Sequence, residues 1–252
     1  DRENSYVIGD RRTDMELAVN MGIKGFYLGP EEDVNDIPGA IAAGRWKEIA
    51  DAVIAGARKV SMRRTTSETD VQIMLDLNGS GKSEISTGIG FFDHMLDAFA
   101  RHGLFDLTVK AKGDLEVDAH HTVEDVGIVL GQALAEAMGN KLGITRFASQ
   151  AVPMDEALVM AALDISGRGQ MHFDILIPPA MMGLFDSSLA KEFFIAFATN
   201  AGITLHLVSF KGENAHHLIE AAFKAMGRVL RQALEIDPRA ADQLPSTKGA
   251  LA

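Results

Sequence analysis

Two copies of one short pattern carry most of the chemistry that this sequence suggests: His120-His121-x-x-Glu124 and His216-His217-x-x-Glu220. On a helix each glutamate stands four residues after the first histidine and three after the second, so each pair shares a face. The two adjacent imidazoles project about 100° apart and cannot readily chelate one ion together. They can instead serve two different metals, each completed from elsewhere. Neutral imidazole with carboxylate suits a divalent first-row ion such as Mn, Fe or Zn, and suits Ca or Mg poorly. A single copy would be explained as well by a solvated helix face. Two copies in matched surroundings argue for ligation.

The surroundings do match. Ala98-Phe-Ala100 reappears as Ala196-Phe-Ala198, and Leu107 as Leu205, at an offset of 98. Ala119-His-His-Thr-Val-Glu124 reappears as Ala215-His-His-Leu-Ile-Glu220 at an offset of 96. Seven residues past each glutamate stands a glycine, Gly131 or Gly227. A duplicated half-domain explains these coincidences. The offset of 98 carries His94, in Phe92-Asp-His-Met-Leu96, onto Glu192, and a carboxylate can ligate where an imidazole does. His94 and Glu192 thus join the candidate ligands. His172 and His206 fall on strand patterns outside these motifs and read as structural.

The elements that must position these groups alternate between strand and helix. Strands are expected at Asp70 to Leu77, Leu104 to Lys110, Glu156 to Ile165, Gly169 to Ile175 and Ile203 to Val208. A turn at Asn78-Gly-Ser-Gly81 predicts that Lys82 to Thr87 returns as a hairpin partner of the first strand. Helices are expected at Phe91 to His102, His120 to Met138, Ser187 to Asn200 and His216 to Leu234. The first 58 residues differ in composition. They hold no histidine, but contain Trp46, Tyr6 and Tyr27, the complete set of Trp and Tyr. They read as α/β: a strand ending near Asp10, a helix from Thr13 (as N-cap) to Met21 with Gly22 as stop, a strand at Gly25 to Leu28, and a helix from Ile49 to Lys59. The expected division is therefore 1–58, then 59–252 in two repeats, about 59–150 and 151–252.

With 252 residues the chain can bury a sizeable core, and 47% hydrophobic with 23% charged residues is ordinary for a soluble globular protein. Its net charge of −11 disfavours a nucleic-acid partner, since neutralising phosphates needs clustered Lys and Arg. No apolar run is long enough for a membrane helix, so no membrane partner is expected. The absence of cysteine removes thiolate sites and suits a cytoplasmic location.

From Arg63 onward the chain resembles the imidazoleglycerol-phosphate dehydratase family. The resemblance rests on Arg-Arg-Thr-Thr-Ser-Glu-Thr (63 to 69), Gly-Phe-Phe-Asp-His-Met-Leu-Asp (90 to 97) and Asp-Ala-His-His-Thr-Val-Glu-Asp-Val-Gly (118 to 127). It continues through Asn-Ala-His-His-Leu-Ile-Glu-Ala-Ala-Phe-Lys-Ala (214 to 225) and Pro-Ser-Thr-Lys-Gly (245 to 249). The resemblance implies dehydration of imidazole glycerol phosphate to imidazole acetol phosphate, in histidine biosynthesis, with two Mn ions per active site. It implies an α+β fold of two similar halves, helices packed between two four-stranded sheets, assembled into a 24-subunit shell. The metal ligands it implies are His94, His120, His121, Glu124, His216, His217 and Glu220, with Glu192 standing where many members have a histidine.

Glu68 and His102 match positions lining the family's active site, which makes Glu68 the candidate for proton transfer with His102 as its partner. Glu220 is a candidate for catalysis as well as ligation. An exposed strand-edge carboxylate and a helix C-terminal cap ahead of Gly103 are the plain readings of Glu68 and His102. A general base near a cation must lie outside direct ligation, because a bound cation depresses a carboxyl pKa. Arg146, Arg168, Ser246 and Lys248 match the family's phosphate pocket. Asp155 and Lys224 fall at site positions too, although a turn aspartate and an i,i+4 ion pair with Glu220 explain them equally well. Two further readings remain: another dimetal His/Glu enzyme, such as a hydrolase of a small phosphorylated substrate, and a non-catalytic metal-binding assembly.

The first 58 residues resemble the C-terminal part of a haloacid-dehalogenase-like phosphatase, through Val7-Ile-Gly-Asp-Arg-Arg-Thr-Asp-Met-Glu-Leu-Ala-Val-Asn-Met-Gly-Ile23. The resemblance implies that Asp10 and Asp14 match residues that help to hold Mg beside a nucleophilic aspartate. The Asp-x-Asp-Gly-Thr motif of that nucleophile does not occur in this sequence, so the chain is expected to lack phosphatase activity. Turnover of histidinol phosphate by the pure chain, abolished in Asp10→Asn, would overturn this expectation.

Overall fold

The structure, a computed structural model, describes Arg2 and residues 5–251, with the side chains of residues 51 and 54–57 outside the description. It contains two compact units, residues 1–57 and 58–252.

The first unit runs β1 (Tyr6–Gly9), α1 (Arg12–Met21), β2 (Lys24–Leu28), β3 (Ala40–Ala43) and α2 (Trp46–Ala57). Its three strands pair in parallel in the order β1-β2-β3. Met15, Tyr27, Val34 and Ile37 are buried on one side of the sheet, and Phe26, Ala43 and Ile49 on the other. Thr13 lies inside α1 rather than at its cap. Arg11 holds the N-cap position, where its backbone N–H donates to Asp14. Gly22 stops the helix as expected, in the left-handed conformation at φ 66°.

The second unit continues with β4 (Lys59–Thr65), β5 (Thr69–Asp76), β6 (Ser83–Ser86), α3 (Gly90–Gly103), β7 (Asp106–Gly113) and α4 (His120–Ala137). The order then recurs as β8 (Phe147–Met154), β9 (Ala157–Asp164), β10 (Gln170–Asp174), α5 (Leu189–Ala201), β13 (Thr204–Lys211) and α6 (Ala215–Ala233). A small hairpin, β11 (Met181–Met182) with β12 (Phe185–Asp186), interrupts the second round only. The sheets are β4-β5-β7-β6 and β8-β9-β13-β10. In each, the last strand pairs in parallel with its neighbour and the other pairings are antiparallel.

The expected hairpin of β5 with β6 is corrected by this order. β7 inserts between them, and β6 pairs in parallel with β7. The chain needs α3 to cross from β6 to β7, because parallel neighbours cannot be joined by a tight turn. The tight-turn antiparallel neighbours of β5 and β9 are instead β4 and β8, edge strands that bury few side chains fully.

Helices α3 and α4 pack on the first sheet, α5 and α6 on the second, and the two helix layers meet as α4 on α5 and α3 on α6. The inward faces of β5 and β9 are Thr69, Val71, Ile73, Leu75 and Ala157, Val159, Ala161, Leu163, all buried. Between the sheets lies an aromatic cluster in which Phe193 stacks on Phe223 at 4.9 Å and Phe99 meets Phe197 edge-on at 6.2 Å. Each such ring removed from water contributes roughly 1.5–3 kcal/mol.

The paired glycines noticed in the sequence set the helix spacing. A Cβ on Gly131 would stand 2.6 Å from the Phe197 carbonyl oxygen, and one on Gly227 2.5 Å from that of Phe99. Both contacts are with backbone, which cannot swing aside. Gly131→Ala is therefore expected to lower stability by about 1–3 kcal/mol in denaturant unfolding. An unchanged midpoint would show that the helices separate freely.

Candidate metal centre and active site

Both histidine pairs stand at a helix N-terminus, where a polar side chain just ahead of them takes up a backbone N–H; Asn214 is the N-cap of α6, and Asp118 precedes the N-cap Ala119 of α4. The Asp118 carboxylate accepts the His120 N–H at 2.7 Å, and the Asn214 side chain accepts the His216 N–H at 2.9 Å. The rings in each pair are nearly perpendicular, at 81° for His120 and His121 and 79° for His216 and His217. Each histidine therefore faces its own neighbourhood.

His216 turns toward α3. Its Nε2 lies 3.1 Å from Glu220 Oε2, and His94 Nε2 lies 3.5 Å from the same oxygen. His94, His216 and Glu220 offer one ligand atom each within 4.8 Å of one another, and this is the one group of three among the described residues. Two imidazoles with a carboxylate fit a divalent first-row ion. Phe91 packs edge-on against His216 at 5.0 Å and fixes the ring. Burial raises the Glu220 carboxyl, but the Lys224 ammonium at 2.8 Å, with His94 and His216, outweighs it and holds the group below its ordinary value.

His217 turns the other way. Its Nδ1 meets Glu156 at 2.7 Å, while Nε2 lies 3.6 Å from Asp155 in the turn before β9. Glu156 also accepts the backbone N–H groups of Glu213 and Asn214, at 3.2 and 2.9 Å. The His217 hydrogen bond and these N–H groups hold its carboxyl at about 2, and His217 is raised in return.

The first half repeats the plan in part. His120 Nε2 lies 3.7 Å from Glu124, and His121 Nδ1 meets Asp114 at 3.0 Å, which raises the imidazole, with Glu68 adding its charge from nearby. Engaging Nδ1 with a carboxylate leaves Nε2 of both His121 and His217 available as a ligand atom, the usual outer-shell arrangement at metal-binding histidines. Glu192, in the first turn of α5, makes no hydrogen bond or ion pair among the described residues.

Other candidate residues take varied positions. Glu68 is exposed in the turn between β4 and β5. His102 lies beside Lys224 and Arg228, and burial with those cations depresses its pKa against the opposing pull of Glu220. Arg146 is bound to Asp164 at 2.8 Å and to the Pro245 carbonyl at 2.8 Å, beside the segment that carries Ser246 and Lys248. Ser246 Oγ donates to the Ala250 carbonyl and accepts from the Lys248 N–H. Arg168 is exposed in the turn before β10. Lys224 makes the i,i+4 pair with Glu220, and Asp155 is an exposed turn residue at φ 48°. His172 and His206 stack at 4.2 Å on adjacent strands at the surface.

Sequence reasoning missed Asp114 and Glu156. Glu156 was within reach, since Thr69 to Ala157 is an offset of 88 between equivalent strands, and that offset carries Glu68 onto it. Replacing either carboxylate, by Asp114→Asn or Glu156→Gln, is expected to weaken metal affinity about 10–100-fold in a direct binding titration. Affinity unchanged in both variants would remove their orienting role.

The imidazoleglycerol-phosphate dehydratase pattern matches residues 87–230. A relative of that name from Acidiphilium cryptum is 60% identical over 195 residues, covering 77% of this chain and 100% of the relative. Another from Acetivibrio thermocellus is 58% identical, over 77% of this chain and 99% of its own length. Among solved structures, imidazoleglycerol-phosphate dehydratase from Staphylococcus aureus aligns at a TM-score of 0.65 and 38% identity, covering 71% of this chain and 99% of the other. The Pyrococcus furiosus enzyme aligns at a TM-score of 0.65 and 42% identity, covering 75% and 100%. With the duplicated fold and the paired histidine helices, these likenesses place the chain in the imidazoleglycerol-phosphate dehydratase family.

Proposed function

We propose that the convergence of His94, His216 and Glu220 is one part of a two-manganese centre that serves this family's reaction. The chain is a hydro-lyase that converts imidazole glycerol phosphate to imidazole acetol phosphate in histidine biosynthesis, with metal dependence. The ligand set we assign is His94, His120, His121, Glu124, Glu192, His216, His217 and Glu220. Within one chain, His120 and Glu124 have no third ligand beside them among the described residues, which supports a centre completed by another copy. A 24-subunit shell, as the family resemblance implies, would supply it. Two bound Mn ions would supply Lewis acidity and orientation to the substrate imidazole and diol.

The protein's own groups then manage the proton. The hydrogen on the carbon beside the imidazole is weakly acidic, and a free carboxylate outside direct ligation suits its removal. Glu68 fills that role, with His102, kept neutral by burial and its cationic neighbours, relaying the proton. Arg146, Arg168, Ser246 and Lys248 receive the phosphate, helped by Lys224 and Asp155. The bond from Arg146 to Pro245 supports this by tying a guanidinium to the tail that carries two of those groups. Among the described residues no helix is long and apolar enough to cross a membrane, and we place the enzyme in the cytoplasm. Residues 1–58 we take as a phosphatase-like segment without that activity.

Turnover of imidazole glycerol phosphate is expected to vanish on chelation, return with Mn, and fall by at least about 100-fold in His120→Ala. No turnover from folded, Mn-loaded, high-mass protein would shift the assignment to another dimetal reaction.

A further inference from the structure

Duplication makes one half of this molecule a control for the other. The first two strands of each half correspond at an offset of 88 and the histidine helices at 96, so Arg64, Thr69 and Asp125 fall on Val152, Ala157 and Ala221. In the second half all three places are buried and apolar. In the first half the same places are polar and linked. Arg64 Nη1 lies 2.5 Å from Asp125 Oδ1, and the Thr69 hydroxyl donates to Asp125 Oδ2. Asp125 and Thr69 are 8% and 4% exposed. One turn earlier on α4, Thr122 is buried with no partner for its hydroxyl among the described residues, where the second half has Leu218.

Stability does not demand this set. Only the carboxylate of the pair is buried, the Arg64 side chain being partly exposed. Replacing a buried ion pair by well-packed apolar groups is often neutral or stabilising, and the second half packs that position with Val and Ala. The links lead instead to one turn. The Thr66 hydroxyl lies 3.3 Å from that of Thr69, and accepts the N–H groups of Glu68 and Thr69 at 3.2 and 3.0 Å. The Thr66 N–H closes the turn on the Thr69 carbonyl at 2.8 Å. A continuous chain thus runs from β4 through α4 to the backbone that carries Glu68.

The counterpart of Glu68 is held differently. Glu156 is fixed by its own carboxylate, through two backbone N–H groups and His217. A carboxylate so engaged is a poor base, because each bond stabilises its charged form. The Glu68 carboxylate accepts no hydrogen bond among the described residues. We propose that Arg64, Asp125 and Thr69 form a positioning network that fixes the Glu68 backbone from beneath, so that its carboxylate is placed without being bound. The proposal rests on the reading of Glu68 as the proton-transfer group.

The test transplants the second half's residues into the first: Arg64→Val, Thr69→Ala and Asp125→Ala together, in the full chain as the Mn-loaded assembly. The unfolding midpoint is expected to match or exceed that of the parent. Hydrogen exchange at the amides of residues 66–69 rises roughly tenfold. The kcat falls about 100-fold with KM changed less than about threefold, as for a displaced catalytic group. In a Glu68→Gln background the same three changes cost less than about twofold more, since they act through Glu68. Full additivity with Glu68→Gln, or an unchanged kcat in the folded triple variant, overturns the proposal. Should Glu68→Gln itself keep the parent kcat, the Glu68 assignment fails. The network is then judged by exchange alone, and unchanged protection at 66–69 sinks it. If the triple variant does not assemble, Thr69→Val, which removes only the hydroxyl link between helix and turn, carries the same comparison.

Discussion

Consecutive residues of an α-helix point about 100° apart, and that angle governs how this chain can use histidine. Two imidazoles side by side on one helix end cannot readily close on the same ion, and the separate partners of His216 and His217, Glu220 and Glu156, show the divergence. Each ring must then find partners on a different element: His216 on α3 through His94, His217 in the turn before β9, His121 in the stretch before its own helix. The rest of the scaffold supplies those partners. Placing both pairs at helix N-termini leaves the rings at the end of the helix layer instead of buried in the aromatic core.

Duplication solves the supply problem economically. One helix pair presents one histidine helix, and a second copy packed against the first presents another. The close approach at Gly131 and Gly227 is what makes the copies fit, and it recurs in both halves because the same crossing is made twice. The halves have nevertheless diverged where their loads differ. One turn carries a carboxylate bonded to backbone and histidine, the other a carboxylate left unbound above a buried polar network.

Much of this could be read in the letters. The four core helices of the second unit and the inward faces of its central strands follow strong periodicities. The histidine motifs also declare themselves by repetition. The edge strands β4 and β8 escaped, because an edge buries one weak row of side chains and leaves little pattern; β4 alternates Arg and Ser with Val and Met. The pairing of β6 was misread because a Gly-rich turn after β5 suggests a hairpin, while the sheet order depends on contacts made after α3 folds back. Asp114 and Glu156 lie 7 and 61 residues from the imidazoles they orient, both in loops outside the helices that carry those rings, so helix periodicity does not connect them. The offset between halves also slides, from 88 in the early strands to 98 at α3 and α5, after the segment with β11 and β12 intervenes, and to 96 in the histidine helices. The offsets of 98 and 96 that find the ligands therefore miss the turn that pairs Glu68 with Glu156, which needs 88.

The split between the two units also divides the protein's optical properties. Trp46, Tyr6 and Tyr27 all belong to the first unit, and residues 58–252 contain neither type. The dehydratase body absorbs in the near ultraviolet only through phenylalanine, so it is almost dark to the absorbance commonly used to weigh out protein. A preparation that lost its first unit to proteolysis would seem nearly empty by that measure while retaining every histidine.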